Sequence, residues 1–257
     1  MKKILLSVAG YDPSSGAGVL LDLKVFEQRG FQGMGILTAV TAQNTKLVKK
    51  VHCLSSELLF DQYKTLCQDV IFSGIKIGMI GSRENIKTIG KILKKSGDIP
   101  KVVDPVFRSS SGAWLLEKKA IPVYIAEIRK KASVITPNLE EAAMITGEKV
   151  RNLEEMKEAA KRIFHLTHIP CLIKGGHLKE VAKDVLFDGS KFHIFEKEKI
   201  KKNVHGTGCF LSSSILCSLA KGKSLEKACL LASQLTHQAI KKAIRIGHGQ
   251  QIISFPL

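Results

Sequence analysis

The stretch ILLSVAGYDPSSGAGVLLDLKVF, residues 4–26, holds three textures in a fixed order, and that order decides the fold. Ile4 to Gly10 is a short apolar run of the kind found in strands buried on both faces. Gly10 to Gly18 is dense in glycine and serine and reads as a loop. Val19, Leu23 and Phe26 then recur at i, i+4 and i+7, which lays one apolar stripe along a helix. A strand feeding a helix through such a loop is the unit of an open α/β sheet, whose ligands sit where strand ends meet helix starts.

The same alternation continues outward. Met34 to Thr41, Gly74 to Gly78, Lys101 to Asp104, Ser133 to Thr136 and Cys171 to Lys174 read as further strands. Leu59, Tyr63, Leu66 and Val70 mark a second amphipathic helix. Asn152 with Glu155 three residues on marks the start of another, carrying Met156, Ala159, Ile163 and Phe164. Asp188-Gly189, between Val185–Phe187 and Phe192–Phe195, signals a two-residue hairpin and an antiparallel ribbon near one edge. Two long amphipathic stretches follow, residues 206–221 and 224–246. The pattern predicts an α/β fold, a mostly parallel central sheet with helices on both faces. No repeat, low-complexity tract or Pro/Ser-rich linker interrupts it, so one domain over 1–257 is expected.

Composition narrows the classes. With 44% apolar and 25% charged residues among 257, the chain matches an ordinary folded protein and excludes a disordered or fibrous one. No run approaches the roughly 20 apolar residues that cross a bilayer, and Tyr11, Asp12 and Pro13 cut the N-terminal apolar run too early for an export signal. The six cysteines (Cys53, Cys67, Cys171, Cys209, Cys217, Cys229) show neither a CxxC pair nor zinc-type spacing, and read as reduced cytosolic thiols. The formal charge of +17 points first to nucleic acid. Yet only seven of the 40 basic residues are Arg, the side chain suited to bidentate phosphate and guanine contacts. The lysine runs (49–50, 94–95, 118–119, 130–131 and the stretch 197–202) are scattered and read as solvated helix faces and loops, with attraction of anionic ligands as a secondary effect.

Four segments carry chemistry. Asn203-Val204-His205-Gly206-Thr207-Gly208-Cys209 leads into Phe210, Leu211, Ile215 and Leu219 at helical spacing, so a glycine turn opens a helix whose first amides and dipole attract anions. An ordinary glycine turn before a core helix fits the same letters. In the first loop, Asp22 sits one turn into the helix, placed to bond a substrate hydroxyl or to favour the dipole as an exposed charge. That loop is neither GxGxxG nor GxxxxGK[ST]. Asp104-Pro105-Val106, then Thr136 to Glu141, then Lys174-Gly175-Gly176-His177 lie at strand ends. They offer carboxylates for a hydrated magnesium and a lysine for phosphate charge, while Asn138 equally reads as a helix cap and His177 as a loop histidine.

Taken in order, VAGYDPSSGAG (Val8 to Gly18), TAVTAQNT (Thr38 to Thr45), KIGM (Lys76 to Met79), DPV, TPNLEEA (Thr136 to Ala142), KGGHL (Lys174 to Leu178) and HGTGC resemble the ribokinase-like kinases over almost the whole chain. Within them they resemble the hydroxymethylpyrimidine/phosphomethylpyrimidine kinases, which have Cys after GTG where most of the superfamily has Asp. The resemblance implies a ribokinase-like fold that uses ATP and Mg2+ to phosphorylate 4-amino-5-hydroxymethyl-2-methylpyrimidine and then its monophosphate in thiamine biosynthesis. On the matching positions it implies Gln43 as reader of the pyrimidine edge, with Gly10, Asp22, Met79 and Val106 around the ring. Gly206, Thr207, Gly208 and Cys209 become the catalytic anion hole, and Lys174, with Thr207, Gly208 and Asn138, meets the ATP phosphates. Asn138, Glu141 and Asp104 surround the metal, and the protein is a cytoplasmic homodimer. A thiol near a helix N-terminus has a lowered pKa, so Cys209 is expected to accept the hydroxymethyl proton in the first step.

The chain departs from the family pattern at Ser15, where a glycine is usual, in the segment Phe107 to Gly112, where Arg108 stands near a usual lysine, and at Val204 and Phe210, where threonines are common. A pyridoxine or pyridoxal kinase is the nearest rival reading, disfavoured by Gln43 and Cys209. A basic nucleic-acid-binding regulator descended from a kinase is the other, and the chain lacks the RRM and C2H2 signatures that would favour it.

Overall fold

Strands that are apolar on both faces need helices on both sides. The structure, a computed structural model that describes residues 2–109, 111–176 and 182–255, provides them. The first part of the chain forms β1 (Ile4–Tyr11), α1 (Gly18–Gln28), β2 (Gln32–Gln43), β3 (Val48–Cys53), α2 (Ser56–Cys67), β4 (Phe72–Ile77), α3 (Arg83–Lys95) and β5 (Lys101–Val103). The chain continues through α4 (Ile121–Ile128), β6 (Val134–Ile135), α5 (Leu139–Thr146), α6 (Leu153–Thr167), β7 (Cys171–Ile173) and the hairpin β8 (Ala182–Phe187) and β9 (Phe192–Lys197). It then forms β10 (Val204–His205), α7 (Thr207–Ala220), α8 (Leu225–Lys241) and β11 (Gln251–Ile252).

Strand order is β3-β2-β1-β4-β5-β6-β7-β8-β9, parallel from β2 to β7 and antiparallel where β3, β8 and β9 join. Adjacent residues alternate between the two faces, as the pleat requires. Leu5, Val102, Val134, Leu172 and Leu186 pack with residues of α1, α7 and α8. Leu6, Val8, Ile77, Val103, Ile135 and Ile173 pack with residues of α2, α3, α4 and α6. From β1 the chain builds β2 on one side and β4 onward on the other, so a crevice opens at the carboxyl ends of the strands beside β1.

Three expectations are corrected. Lys49 and Lys50 lie on β3, not on a helix face or loop, and they guard an edge strand against pairing with another chain. The β8–β9 loop has four residues rather than two, because Asp188 Oδ1 accepts from the amides of Ser190 and Lys191 and so closes a longer turn, with Phe187 paired to Phe192. Helix α8 stops at Lys241, short of Ile246, because the chain turns back there: Ile244 bridges Ile252, and β11 pairs with β10. The same segment reaches the end of β2, where Gln250 donates its amide to Thr45 O at 2.8 Å. No helix among the described residues is long and apolar enough to cross a membrane.

Beneath the crevice lies an ion pair with no exposure to solvent. Lys76 Nζ of β4 sits 2.8 Å from Asp22 Oδ2 and 3.0 Å from Oδ1. Ser7 of β1 and Ser213 of α7 also donate to Asp22, at 2.6 and 2.8 Å. Burial opposes the ammonium, but Asp22, then Cys209 and Asp104, hold its pKa above the ordinary lysine value. Four elements therefore meet on one carboxylate. Lys76→Met, which strands that carboxylate in the interior, is expected to lower unfolding free energy by about 3–5 kcal/mol, and the Lys76→Met/Asp22→Leu double variant to recover most of the loss. Urea denaturation of the three proteins checks this, and a single-variant loss near zero would contradict it.

Candidate active site

Parallel strands deliver their carboxyl ends to one edge, and the site is built there. Gly10 is the last residue but one of β1 and Gln43 ends β2, while Met79, Asp104, Asn138 and Lys174 follow β4, β5, β6 and β7 within three residues. These residues, with Val106, Glu141, Gly206, Thr207, Gly208 and Cys209, line one cleft of about 1040 Å³. Asp22 is the exception. It belongs to the buried pair below, so neither of its expected roles, toward substrate or toward solvent, describes its place. Of the basic run, Lys197, Lys199, Lys201 and Lys202 border the cleft as the chain crosses from β9 to β10.

The anion turn is made by two loops pressed together. Gly206 has φ +81°, and a Cβ there would lie 1.8 Å from the carbonyl oxygen of Gly16. Gly18, at φ +63°, faces Gly10 O, which a Cβ would meet at 2.2 Å. Both positions need glycine for conformation and for room. Gly206 caps α7 without a side-chain hydrogen bond, so the helix's first amides are left for a ligand at the cleft floor. Gly208 lies against Lys174, whose Nζ a Cβ would meet at 3.1 Å.

Lys174 also organises the carboxylates. Its Nζ is 2.7 Å from Asp104 Oδ1 and 3.8 Å from Glu141 Oε2. Asp104 accepts further from Thr136 Oγ1 at 3.1 Å and Ser212 Oγ at 3.3 Å. Burial raises the Asp104 pKa, but Lys174 and Lys76 outweigh it and keep Asp104 below the ordinary carboxylate value. Burial pushes Glu141 up to about 8, with Asp104 adding to the rise and Lys174 opposing it. Lys174 itself is held above its ordinary value, its burial offset by Asp104 and Glu141. Asn138 is the cap of α5: its Oδ1 accepts from Glu141 N at 2.9 Å, and Glu141 Oε2 accepts from Asn138 N at 2.7 Å. The box seats Glu141 in the cleft wall.

The Cys209 thiol does not have the lowered pKa expected from its place in the first turn of α7. Part of its surface opens to the cleft, yet burial on its other sides pushes the pKa up to about 11, Asp22 and Asp104 adding to the rise. Lys76 and the Gly18 amide pull the other way and lose. At neutral pH the sulfur carries its proton.

The departures from the family pattern have distinct fates. Ser15 takes φ +57°, the left-handed region in which glycine is at ease, at a cost of order 1 kcal/mol. Phe210 points away from the cleft, into the core beside Phe255. Val204 lines the cleft, and Arg108 borders it, donating to Gly112 O at 2.9 Å, pairing with Glu140 and lying over the Trp114 ring. Ser110 and His177 to Val181 lie outside the described residues. Sequence reasoning missed Lys76, a lone cation in an apolar strand, and it named Asp12 and His205 without a role. His205 Nε2 sits 2.8 Å from Asp12 Oδ2 and 3.1 Å from the Gln43 amide.

Comparison with known proteins gives the same picture. The family model for phosphomethylpyrimidine kinase matches residues 12–254. The hydroxymethylpyrimidine/phosphomethylpyrimidine kinase of Aquifex aeolicus (strain VF5) is 38% identical over 254 residues, 98% of this chain and 100% of that one. A crystal structure of phosphomethylpyrimidine kinase from Clostridium difficile 630 superposes with a TM-score of 0.81 at 38% identity, over 93% of this chain and all of the other. The pyridoxal kinase of Staphylococcus aureus in complex with pyridoxal superposes with a TM-score of 0.90 at 31% identity, over 99% and 93% of the two chains. With a ribokinase-like fold, a shared cleft and near full-length matches, this chain belongs to the phosphomethylpyrimidine kinase family.

Proposed function

We propose that the cleft transfers the terminal phosphoryl group of ATP to the hydroxymethyl group of 4-amino-5-hydroxymethyl-2-methylpyrimidine, and then to the monophosphate so formed, in thiamine biosynthesis. One observation carries this reading: a ring-sized patch of Gly10, Gln43, Met79 and Val106 shares a cleft with the Gly206–Cys209 turn and the Lys174 cluster. On this reading Gln43 pairs with the pyrimidine edge, and Met79 and Val106 supply the apolar contact. The first amides of α7 receive the phosphoryl oxygens, and Lys174 turns from Asp104 toward the nucleotide. The S. aureus pyridoxal kinase, a structural relative, has been solved with AMP-PCP, which supports ATP as donor here. Lys197 to Lys202, Thr236, His237 and Ile240 wall the remaining end of the cleft and suit the nucleoside.

Magnesium suits the donor set. It prefers oxygen, keeps several waters and needs only one or two carboxylates when phosphates complete its shell. Asp104 provides one, and Glu141 would provide the second once a cation displaces the proton that a pKa of about 8 leaves on it at neutral pH, while the oxygen of Asn138 already serves the cap, so Asn138 acts on the metal by fixing Glu141. No group of three His, Cys, Asp or Glu among the described residues forms a closed metal cage, in keeping with an ion that arrives on a nucleotide. Bound there, magnesium would neutralise charge on the phosphates in transfer.

Phosphoryl transfer has a loose transition state, so the attacking hydroxyl needs placing more than early deprotonation. Cys209, protonated below a pKa of about 11, therefore enters the first step as a hydrogen-bonding partner of the hydroxyl and not as a resting thiolate. The second step attacks with a phosphate oxygen that has no proton to lose.

The pyridoxal kinase reading has one favouring observation, the 0.90 TM-score to the S. aureus enzyme. A coupled ATP-consumption assay with the pyrimidine alcohol, its monophosphate and pyridoxal separates the two. The pyrimidine compounds are expected to turn over at least tenfold more efficiently, and faster use of pyridoxal would transfer the enzyme to the rival class. Cys209→Ala is expected to slow the first phosphorylation about tenfold, the worth of a hydrogen bond, and the second less than twofold. The ratio of wild-type to Cys209→Ala first-step rates should stay level between pH 7 and 9, because the thiol titrates near 11 while Glu141, near 8, acts on both proteins alike; a tenfold rise of that ratio per pH unit would restore the thiolate mechanism. The same reading takes the protein as a cytoplasmic homodimer, for which light scattering should give twice the 28.2 kDa chain mass.

A further inference from the structure

The Gln43 side chain lies between two neighbours that disagree with each other as placed. Its Nε2 is 3.1 Å from His205 Nε2, and its Oε1 is 3.4 Å from Thr41 Oγ1. His205 Nε2 also lies 2.8 Å from Asp12 Oδ2. Asp12 is almost wholly buried, and its other oxygen accepts from Ser14 N at 2.9 Å and Ser14 Oγ at 2.7 Å. Burial alone would raise its pKa, but the bonds from His205 and Ser14 bring it below the ordinary value, so it is an acceptor only. The nitrogen facing it must therefore carry the proton. A protonated Nε2 has nothing to offer a second donor, so an amide NH2 on that side would meet N–H with N–H. On the other flank, Thr41 Oγ1 is 3.0 Å from Tyr11 O. The hydroxyl proton goes to that nearer carbonyl, which leaves a Gln43 oxygen at 3.4 Å without a good donor on this flank.

The two ends of an amide are alike in shape and are told apart by what they touch. Turning the Gln43 amide over relieves both conflicts: its oxygen then faces the Nε2 proton and shares it with the nearer Asp12 in a three-centre bond, and its NH2 donates to Thr41 Oγ1, whose own proton goes to Tyr11 O. We propose that the Asp12–His205 pair locks the Gln43 amide in this sense, and that the lock sets which ring edge the cleft accepts and which way round the ring lies. Asp12 and His205 are thus positioning residues acting through Gln43, and the proposal rests on the reading that Gln43 meets the pyrimidine.

The consequence for a ligand follows from amide chemistry. With its two lateral sites taken by His205 and Thr41, the amide presents one acceptor and one donor head-on, the acceptor on the His205 side. A 4-aminopyrimidine answers with its amine on that side and its ring nitrogen on the other. The hydroxymethyl group neighbours the amine, so it too lies on the His205 side, and His205 runs directly into the Gly206 turn. The opposite amide setting would seat the ring turned over, its alcohol away from the phosphoryl group. Pyridoxal has no amine beside its ring nitrogen and gains nothing from the lock. The fold holds His205 for this purpose: Ile252 pairs with it across the β10–β11 ribbon, and its ring lies so close to Gly16 that a Cβ there would come within 2.4 Å of it.

The test uses the intact enzyme. Asp12→Asn keeps the shape but can donate to Nε2, which reverses the tautomer of His205 and with it the preferred amide setting. It is expected to raise KM for the pyrimidine alcohol about tenfold, the worth of one misplaced hydrogen bond, while KM for ATP stays within twofold. Gln43→Ala should raise the same KM, and the Asp12→Asn/Gln43→Ala double variant should be no worse than Gln43→Ala. Additive losses would overturn the lock while leaving Gln43 as the ring reader; a Gln43→Ala enzyme with unchanged KM would overturn that reading and the lock together. Should the variants fold poorly, a long-range 1H–15N NMR spectrum of the unaltered protein decides: the proton on His205 Nε2 supports the lock, and a bare Nε2 sinks it.

Discussion

The amino end of α7 must stand unpaired at the floor of the cleft, and much of the site follows from that requirement. A helix end left open to ligands is stable only if the rest of the helix is gripped. Here the grip is polar as well as apolar: Ser212 reaches Asp104 and Ser213 reaches Asp22, each from a helix otherwise sunk among Leu211, Ile215 and Leu216. Lys76 answers Asp22, and Lys174 answers Asp104. Two buried carboxylates, each with its own lysine, hold the Gly206–Cys209 turn against two different strands. Replacing such pairs by apolar residues often leaves a protein as stable or more so. What the pairs supply here is position, because they fix Gly206 to Cys209 relative to the strand ends that carry the other ligands.

Much of this was legible from residues 4–26 outward, for a physical reason. A strand buried on both faces can hide no polar residue cheaply, so apolar runs such as Lys101 to Asp104 and Cys171 to Lys174 announce themselves, and their polar last residues mark the functional edge. The edge strand β3 gave no such signal. The strand Val48–Cys53 has lysines where a buried strand has valines, because an edge exposes one side to water. Burial depth was equally hidden: the letters GTGC place a thiol at a helix start, but only the packing shows that Asp22 and Asp104 lie near enough to raise its pKa. Nor does spacing reveal that Asp22 belongs to Lys76, 54 positions away.

Charge is better understood in place than in sum. The +17 suggested a polyanionic partner when read as composition. In the fold, Lys174 and the lysines between β9 and β10 border the same cleft as the open end of α7, so positive potential gathers where a nucleotide's phosphates would enter. The remaining lysines are spread over helices and the β3 edge and form no continuous track for a long anion.

The bond from Gln250 back to Thr45 joins positions roughly two hundred residues apart at the Gln43 end of the cleft, and the ribbon of β10 and β11 beside it pairs positions roughly fifty apart. Contacts of such long sequence separation form late, because their loop must close before they give any return. During synthesis, the sheet can assemble before β11 has left the ribosome, but the wall formed by Ile252 against His205 cannot. A nascent chain would therefore pass through a stage that is folded yet chemically silent, and would complete the cleft only once β11 has emerged and paired.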